Sequence, residues 1–183
     1  LQFEDGTTQA VARTLPRLGR LTVDARELIG DAPRSFAAVV ETEHRVVVDR
    51  TMRWDARGYG SHAESASAAP ALRWHLAEGA THSGLDVFYL VQNPGGRDAE
   101  IQVRYLRPAA ALPVVRHYTV AARARLTIWV DLIEGLEAVD VSGEVSSTNG
   151  VPVVVERAMY LDRPGERFAA GHAAAGVTEL ATT

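Results

Sequence analysis

The sequence repeats itself at intervals of roughly 105 to 110 residues, and this repeat constrains the fold more than any other feature. Four short segments recur in the same order along the chain: Arg20–Val23 with Arg125–Ile128, Leu28–Gly30 with Leu132–Glu134, Val46–Met52 with Val153–Met159, and Gly60–His62 with Ala170–His172. A period of this length is typical of a whole small domain and is too long for a solenoid unit. The chain is therefore expected to contain two copies of one domain.

The two copies are not equally complete. The stretch from Leu72 to Glu100 has no counterpart ahead of Leu1, so the first copy lacks its N-terminal strands. We assign residues 1–71 to an incomplete first copy and residues 72–183 to a complete second copy, with a compact linker at Ala66–Ala71. We expect the missing strands to come from upstream sequence or from another subunit, because a partial sandwich exposes unpaired strand edges.

The hydrophobic pattern predicts β-strands. Runs of five to ten residues rich in β-branched side chains alternate with Gly, Pro, Asn and Asp. The predicted strands are Gln9–Leu15, Arg20–Asp24, Ser35–Glu41, Arg45–Trp54, Leu85–Gln92, Asp98–Leu106, Val114–Val120, Leu126–Asp131, Val139–Ser146 and Val151–Tyr160. Only single helical turns are expected, at Asp24–Ile29 and Asp131–Leu136. The fold class is therefore all-β, an antiparallel sandwich or barrel.

Two turn signals stand out between the predicted strands. Asn93-Pro94-Gly95-Gly96 separates two apolar runs, and Ser147-Thr148-Asn149-Gly150 separates the last two. Asn-Gly favours the two-residue turn of a β-hairpin, so the second signal predicts that its flanking strands pair with each other.

Composition excludes several kinds of chemistry. The 19 basic residues are all Arg, and there is no Cys, which removes lysine-based catalysis, disulfides and thiolate metal sites. The net charge of −4 argues against a nucleic-acid-binding protein. No Gly-x-Ser-x-Gly elbow, His-Glu-x-x-His motif or calcium loop occurs, so neither a catalytic residue nor a metal site or cofactor is predicted. A hydrolase with no linear signature remains a third alternative.

Several motifs together resemble a repeated domain of bacterial secreted and cell-surface proteins, of the kind found in actinobacteria. They are Arg73–Gly79, Tyr89–Pro94, Ser146–Pro152 and Val155–Tyr160. This resemblance implies tandem immunoglobulin-like β-sandwiches, an extracellular or cell-surface location, and no family catalytic residues. The first copy departs from the pattern at Glu41–His44 and Met52–Trp54, so a ligand site in those loops would differ between copies.

An arginine recurs on an otherwise apolar strand face in both copies. Arg50 lies between Val48 and Met52, and Arg157 occupies the matching position in the second copy. A charge among apolar side chains needs a carboxylate partner, and Asp24 and Asp131 follow equivalent strands. We therefore expect structural ion pairs that fix strand register; the alternative is an arginine that binds a ligand's carboxylate or phosphate.

Aromatic side chains provide the ligand-binding candidates. Most lie in strands at core spacing, whereas Trp54 lies at a strand end and Tyr59 lies in the glycine-flanked loop beside it. We expect a non-catalytic structural or adhesive module that contacts neighbouring repeats or subunits, with head-to-tail assembly by strand complementation. The alternative is a carbohydrate-binding accessory module of a secreted enzyme, with Trp54 and Tyr59 as a weak glycan site.

Overall fold

A computed structural model describes residues 1–30, 33–54, 60–108 and 111–180. The elements are β1 (Gln2–Phe3), α1 (Ala25–Ile29), β2 (Phe36–Ala37), β3 (Asp49–Trp54), β4 (Gly60–Ser65), β5 (Arg73–Leu76), β6 (Leu85–Asn93), β7 (Ala99–Leu106), β8 (Val114–Val120), β9 (Ala124–Trp129), a 3₁₀ turn (Val130–Leu132), β10 (Ser142–Ser147), β11 (Val154–Arg163) and β12 (Glu166–Ala175). The all-β prediction is confirmed, since strands dominate the described residues and helix among them is confined to single turns.

Strands β5 to β12 form two four-stranded antiparallel sheets. Sheet 1 has the order β5-β10-β7-β8, and sheet 2 has the order β12-β11-β6-β9. The chain changes sheet at most connections, whereas β7–β8 and β11–β12 are hairpins within one sheet. Buried side chains from both sheets form one core, so residues 73–175 make a β-sandwich.

The period-2 alternation of the sequence determines which side chains enter the core. On β6, Val87, Tyr89 and Val91 are buried, and the residues between them are only partly covered. Tyr89 stacks on Tyr105 of the opposite sheet, with ring centroids 5.6 Å apart. The two sheets are therefore held together by interleaved apolar and aromatic side chains.

The Asn-Gly signal does not form a hairpin, and that prediction is wrong. Strand β10 pairs with β5 and β7, whereas β11 pairs with β12 and β6, so the Ser147–Gly150 turn connects the two sheets. The Asn149 side chain shapes this connection, because its Oδ1 accepts the Glu100 N–H and its amide donates to the Asp98 carbonyl. Asn149 therefore holds the turn through two side-chain hydrogen bonds, one to Glu100 of β7 and one to Asp98, the residue before β7.

The order of strands differs from that of the constant-type immunoglobulin domain, which has sheets A-B-E-D and C-F-G. Counting β5 as the first strand, the sheets here run 1-6-3-4 and 8-7-2-5. The first strand pairs with the sixth instead of the second, and the seventh pairs with the second instead of the sixth. The fourth strand likewise pairs with the third instead of the fifth. The sandwich therefore differs from this immunoglobulin order at its first, fourth and seventh strands.

The described part of residues 1–65 contains two small two-stranded ribbons. β1 pairs with β2, and β3 pairs with β4. The predicted strands Gln9–Leu15 and Arg20–Asp24 have no ladder partner in the described residues. The predicted helical turn is present as α1, whose first turn is capped by the Asp24 carboxylate accepting the Arg26 N–H. The linker ends in contact with the sandwich, because Ala71 and Val153 exchange both backbone hydrogen bonds.

The hairpins β3–β4 and β11–β12 pair their residues in matching register. In the first hairpin Met52 lies opposite His62, and in the second Met159 lies opposite His172. Both Met-to-His pairs sit two residues after the recurring arginine. The segments that match in sequence thus also match in strand pairing.

Candidate functional site

The β3–β4 hairpin packs on the outer face of sheet 2, and Trp54 is its main anchor. The Trp54 indole N–H donates to the Phe168 carbonyl at 2.6 Å. Its ring meets the Tyr160 ring edge-on, with centroids 5.3 Å apart. Trp54 therefore contacts both strands of the β11–β12 hairpin and belongs to an interface within the chain.

Two glycines make room for the Trp54 ring. A Cβ atom on Gly171 would lie 2.7 Å from the ring, and one on Gly60 would lie 2.1 Å from it. Both distances are shorter than any carbon–carbon contact tolerates. Gly171 belongs to β12 and Gly60 begins β4, so the indole fits between strands that carry no side chain at these points.

Trp54 joins a larger aromatic cluster on this outer face. Tyr160 and Phe168 have ring centroids 4.7 Å apart, and Phe88 lies 5.9 Å from Tyr160. Phe88 also packs on Trp129 at 5.3 Å, with ring planes inclined by 34°. Burial in this cluster raises the pKa of Tyr160. This part of the outer face of sheet 2 is thus aromatic and offers apolar surface to another segment.

Charged and polar contacts flank the aromatic anchor. The Arg50 guanidinium lies 3.0 Å from the Glu156 carboxylate, with side chains that are 42% and 21% exposed. The His62 Nε2 lies 3.2 Å from the Tyr160 hydroxyl. Burial lowers the pKa of His62, the positive charge of Arg50 lowers it further, and Glu156 opposes both effects. His62 is thus favoured in its neutral form inside the interface.

The N-terminal ribbon covers the other end of sheet 2, at the β9 edge. The Thr127 hydroxyl donates to Glu4 at 2.5 Å, and the Arg125 guanidinium donates to the Phe36 carbonyl at 3.1 Å. The Gln92 side-chain amide donates to Gln2 at 2.8 Å. Both ribbons of residues 1–65 therefore contact the same sheet.

Arg157 has a different environment from Arg50. It is only 3% exposed, and its guanidinium donates to the Glu78 backbone carbonyl, to the Glu78 carboxylate at 3.3 Å and to His172 Nδ1 at 3.1 Å. The expected partner Asp131 instead accepts the Val87 N–H at 2.8 Å, and burial raises its pKa. The predicted pairing of Arg157 with Asp131 is therefore corrected: Arg157 pairs with Glu78. Asp131 is engaged elsewhere, because it follows the end of β9 and accepts the backbone N–H of Val87 there.

The expected pairing of Arg50 with Asp24 is corrected in the same way. Asp24 caps α1, and Arg50 bonds to Glu156 of the sandwich. Glu78 and Glu156 could not be identified as the partners from the sequence, and the reason is the same for both. Glu78 and Glu156 approach their arginines through tertiary packing of segments 79 and 106 residues away.

Two residues that are paired across neighbouring strands each carry a buried polar atom without a hydrogen-bond partner. The Arg157 Nε and the Tyr89 hydroxyl have no hydrogen-bond acceptor or donor among the described residues. Tyr89 and Arg157 face each other across the β6–β11 ladder, and burial raises the pKa of Tyr89. The core therefore contains buried polar groups at this position whose hydrogen bonding is incomplete among the described residues.

Tyr59 lies outside the described residues. Among the described residues, one shallow cavity of about 480 Å³ lies between the β5–β6 connection and the start of β10, and another of about 480 Å³ lies beside the linker. Within the described ranges, no group of three His, Asp or Glu side chains could hold a metal ion. No helix among these residues is long and apolar enough to cross a membrane.

The comparisons with known proteins show a similarity of fold and nothing more. No family model matches the chain, and no curated protein matches it. Among solved structures, the crystal structure of Thermotoga maritima 1070 is similar with a TM-score of 0.54 and 19% identity, over 60% of this chain and 96% of that one. The Anabaena sensory rhodopsin transducer is similar with a TM-score of 0.40 and 22% identity, over 49% of this chain and 83% of that one.

Proposed function

We propose that this chain is a non-catalytic structural or adhesive repeat module of a secreted or cell-surface protein. One observation carries the proposal: the β3–β4 hairpin is docked through Trp54 on the aromatic outer face of the sandwich. In this role the sandwich supplies a rigid unit and its outer face receives a segment of the neighbouring repeat. The partners are then protein segments, with no nucleic acid involved.

The matching hairpins support a tandem repeat of β-sandwich units. The same Met-to-His pairing occurs in both, and the recurring arginine of each reaches a carboxylate supplied by a different segment. Contacts of this kind fix how one unit meets the next, because they combine an aromatic anchor with a directional ion pair. A stalk or adhesive array needs such defined contacts between its units.

Single-molecule force spectroscopy tests this role. Stretched between its ends, the chain should release the hairpin at low force and then unfold the sandwich at higher force, with a contour-length gain of about 350 Å for roughly 100 residues. Trp54→Ala should abolish the first event and leave the second unchanged. Trp129→Ala, the matched control on the sandwich side, should keep the first event and lower the force of the second. A single event in the unmodified chain would contradict the proposal.

A carbohydrate-binding role is the second candidate, and one observation favours it. Phe88 and Trp129 form a partly exposed aromatic pair on sheet 2, and Asp86 lies on the same strand face as Phe88. Aromatic rings beside a carboxylate suit the apolar face and hydroxyls of a sugar. Binding to a glycan array that Trp129→Ala abolishes and Trp54→Ala preserves would support this candidate; an array without hits would exclude it.

A further inference from the structure

Ser83, His82 and Asp140 form a continuous chain of hydrogen bonds at the β5–β6 connection. The Ser83 hydroxyl lies 2.9 Å from His82 Nδ1, and His82 Nε2 lies 3.0 Å from the Asp140 carboxylate. An ionised carboxylate can only accept, so in the neutral imidazole Nε2 carries the proton and Nδ1 accepts the Ser83 O–H. The same order of groups, with the two ring nitrogens exchanged, activates the serine of hydrolytic triads. The chain therefore joins a hydroxyl to a base, and that base to a carboxylate.

Hydrogen bonds hold the two segments that carry these groups at a fixed separation. Ala80 and Asp140 form an antiparallel bridge, and the Thr81 N–H donates to the Val139 carbonyl at 3.0 Å. The hydroxyl of Thr81, a buried residue, also accepts the Val139 N–H at 3.0 Å. His82 directly follows Thr81, and Asp140 directly follows Val139. The backbone thus sets the distance between the histidine and the aspartate, as groups that act together in a reaction require.

Ser83 occupies an unusual position in a tight turn. Its φ of 59° lies in the left-handed region, Gly84 follows with a φ of 78°, and the Leu85 N–H donates to the His82 carbonyl across them at 3.1 Å. Left-handed backbone is uncommon for serine, and such strain is concentrated at functional sites. Among the described residues, the Ser83 and Gly84 N–H groups donate to no acceptor. Both therefore have the capacity to bind an oxyanion that forms at the Ser83 hydroxyl.

Reactants can reach these groups from solvent. Ser83 is exposed, and the side chains of His82 and Asp140 are 42% and 68% exposed. Asp140 also lines the shallow cavity of about 480 Å³ beside the β5–β6 connection, whose walls include the apolar side chains of Val141 and Met159. The site therefore combines an accessible hydroxyl and base with an apolar recess large enough for a short acyl chain.

We propose that Ser83 is a nucleophile that takes an acyl group from an activated ester, with His82 as its base and Asp140 as the residue that positions the imidazole. This goes beyond the proposed function, because it gives an adhesive module a covalent bond in addition to its packing contacts. It does not depend on the docked hairpin or on the repeat, since the three residues lie within the sandwich. The ester needs a good leaving group, because an exposed site stabilises an oxyanion only weakly.

The transfer follows from the positions of the three groups. Ser83 Oγ forms a bond to the ester carbonyl carbon while its proton passes to His82 Nδ1, and the carbonyl electron pair moves onto oxygen. The return of that pair breaks the bond to the leaving alkoxide, which takes the proton from His82 and departs as an alcohol. Asp140 stabilises the transient imidazolium and stays ionised. The product is an ester of Ser83.

Labelling with a fluorophosphonate measures the reactivity of Ser83, because the adduct of this probe with serine resists hydrolysis. Peptide mass mapping locates and quantifies each adduct over time. Ser65 is the internal control, since its exposed hydroxyl donates to the Asp49 carboxylate at 2.8 Å instead of to a histidine. Ser83 should be labelled at least roughly tenfold faster than Ser65, the lower end of what a positioned base provides.

Three variants assign the roles of the groups. His82→Gln should slow labelling of Ser83 to the rate of Ser65, and Asp140→Asn should slow it by a smaller factor. Thermal unfolding of both variants should match that of the unmodified chain, because both side chains are largely exposed. Loss of labelling at unchanged stability separates an activated serine from a hydrogen bond that only closes the turn. Release of p-nitrophenol from p-nitrophenyl acetate, lowered by Ser83→Ala, tests acyl transfer itself.

Three results would overturn the inference. The first is labelling of Ser83 no faster than that of Ser65, and the second is labelling that His82→Gln leaves unchanged. The third is p-nitrophenol release that Ser83→Ala does not lower. None of them bears on the proposed function, which is tested separately by the release of the hairpin under force.

Discussion

Arg50 and Glu156 are 106 residues apart in sequence, and their charged groups lie 3.0 Å apart. Arg50 belongs to the first hairpin and Glu156 to the central part of sheet 2. This pair joins the β3–β4 hairpin to the β11–β12 hairpin beside the aromatic anchor. Its position makes it a sensitive reporter of whether the hairpin is docked.

A double-mutant cycle measures this pair. Arg50→Ala and Glu156→Ala should show a coupling free energy of about 0.5–1 kcal/mol in hairpin docking, because both side chains retain contact with solvent. The coupling should shrink as salt is raised from low to physiological concentration. Urea titration followed by Trp fluorescence provides the measurement.

Asp24 supplies the control for that cycle. Asp24→Ala should cost about 0.5–1 kcal/mol through loss of the α1 cap, and its effect should add to that of Arg50→Ala without coupling. Coupling between Arg50 and Asp24 would show that the ion pair expected from the sequence forms in solution instead.

His62 should make docking dependent on pH. Its folded pKa is lowered by burial and by Arg50, so the docked state binds fewer protons than the released state. Docking should therefore be strongest above pH 6.5 and weaken as the pH falls below it, by at most about 1.4 kcal/mol per pH unit for one proton. Hydrogen exchange in β3–β4 between pH 7.5 and 5 checks this. His62→Gln should flatten the profile, and an unchanged profile would count against a buried neutral histidine.

The carboxylate of Glu78 should matter less than the arginine that it contacts. Glu78→Ala should cost under about 1 kcal/mol of unfolding free energy, because its side chain is 71% exposed and its backbone carbonyl still accepts Arg157. Arg157→Ala should cost about 2–4 kcal/mol, since it opens a cavity in the core. Arg157→Met, which keeps the volume, should cost much less. Thermal unfolding distinguishes these cases, and equal losses for Glu78→Ala and Arg157→Ala would favour a dominant ion pair.

Gly143 is required by the packing of the core. A Cβ atom there would lie 2.6 Å from the Tyr89 hydroxyl and 2.8 Å from its ring, so Gly143→Ala should destabilise the sandwich by about 1–3 kcal/mol. Gly96→Ala is the matched control, because no atom lies within 4 Å of its added Cβ. Chemical denaturation measures both. Similar stability of the two variants would show that β10 lies further from Tyr89.

The sequence predicted the sandwich well where β-branched residues alternate. The prediction of Val114–Val120 as a strand matches β8, and the strand predicted at Leu85–Gln92 matches β6 to within one residue. Strands β4 and β12 were missed because they are rich in Gly, Ala, Ser and His, which carry little strand propensity. Their conformation comes from pairing with β3 and β11.

The site was harder to predict than the fold. The position of Trp54 at a strand end indicates an exposed ligand contact, whereas in the structure Phe168, Tyr160 and Gly171 surround its ring. Those contacts arise between segments over 100 residues apart, and no local pattern encodes them. The glycine at position 171 was the available signal, since a glycine in a strand often marks the close approach of another group.

Nuclear Overhauser contacts from the Trp54 indole are the most direct measurement of hairpin docking in the unmodified chain. We predict cross-peaks from the indole ring protons to the Tyr160 ring and to the Gly171 α-protons. An indole that shows neither contact, with random-coil shifts throughout β3 and β4, would contradict docking and with it the proposed role of the outer face of sheet 2.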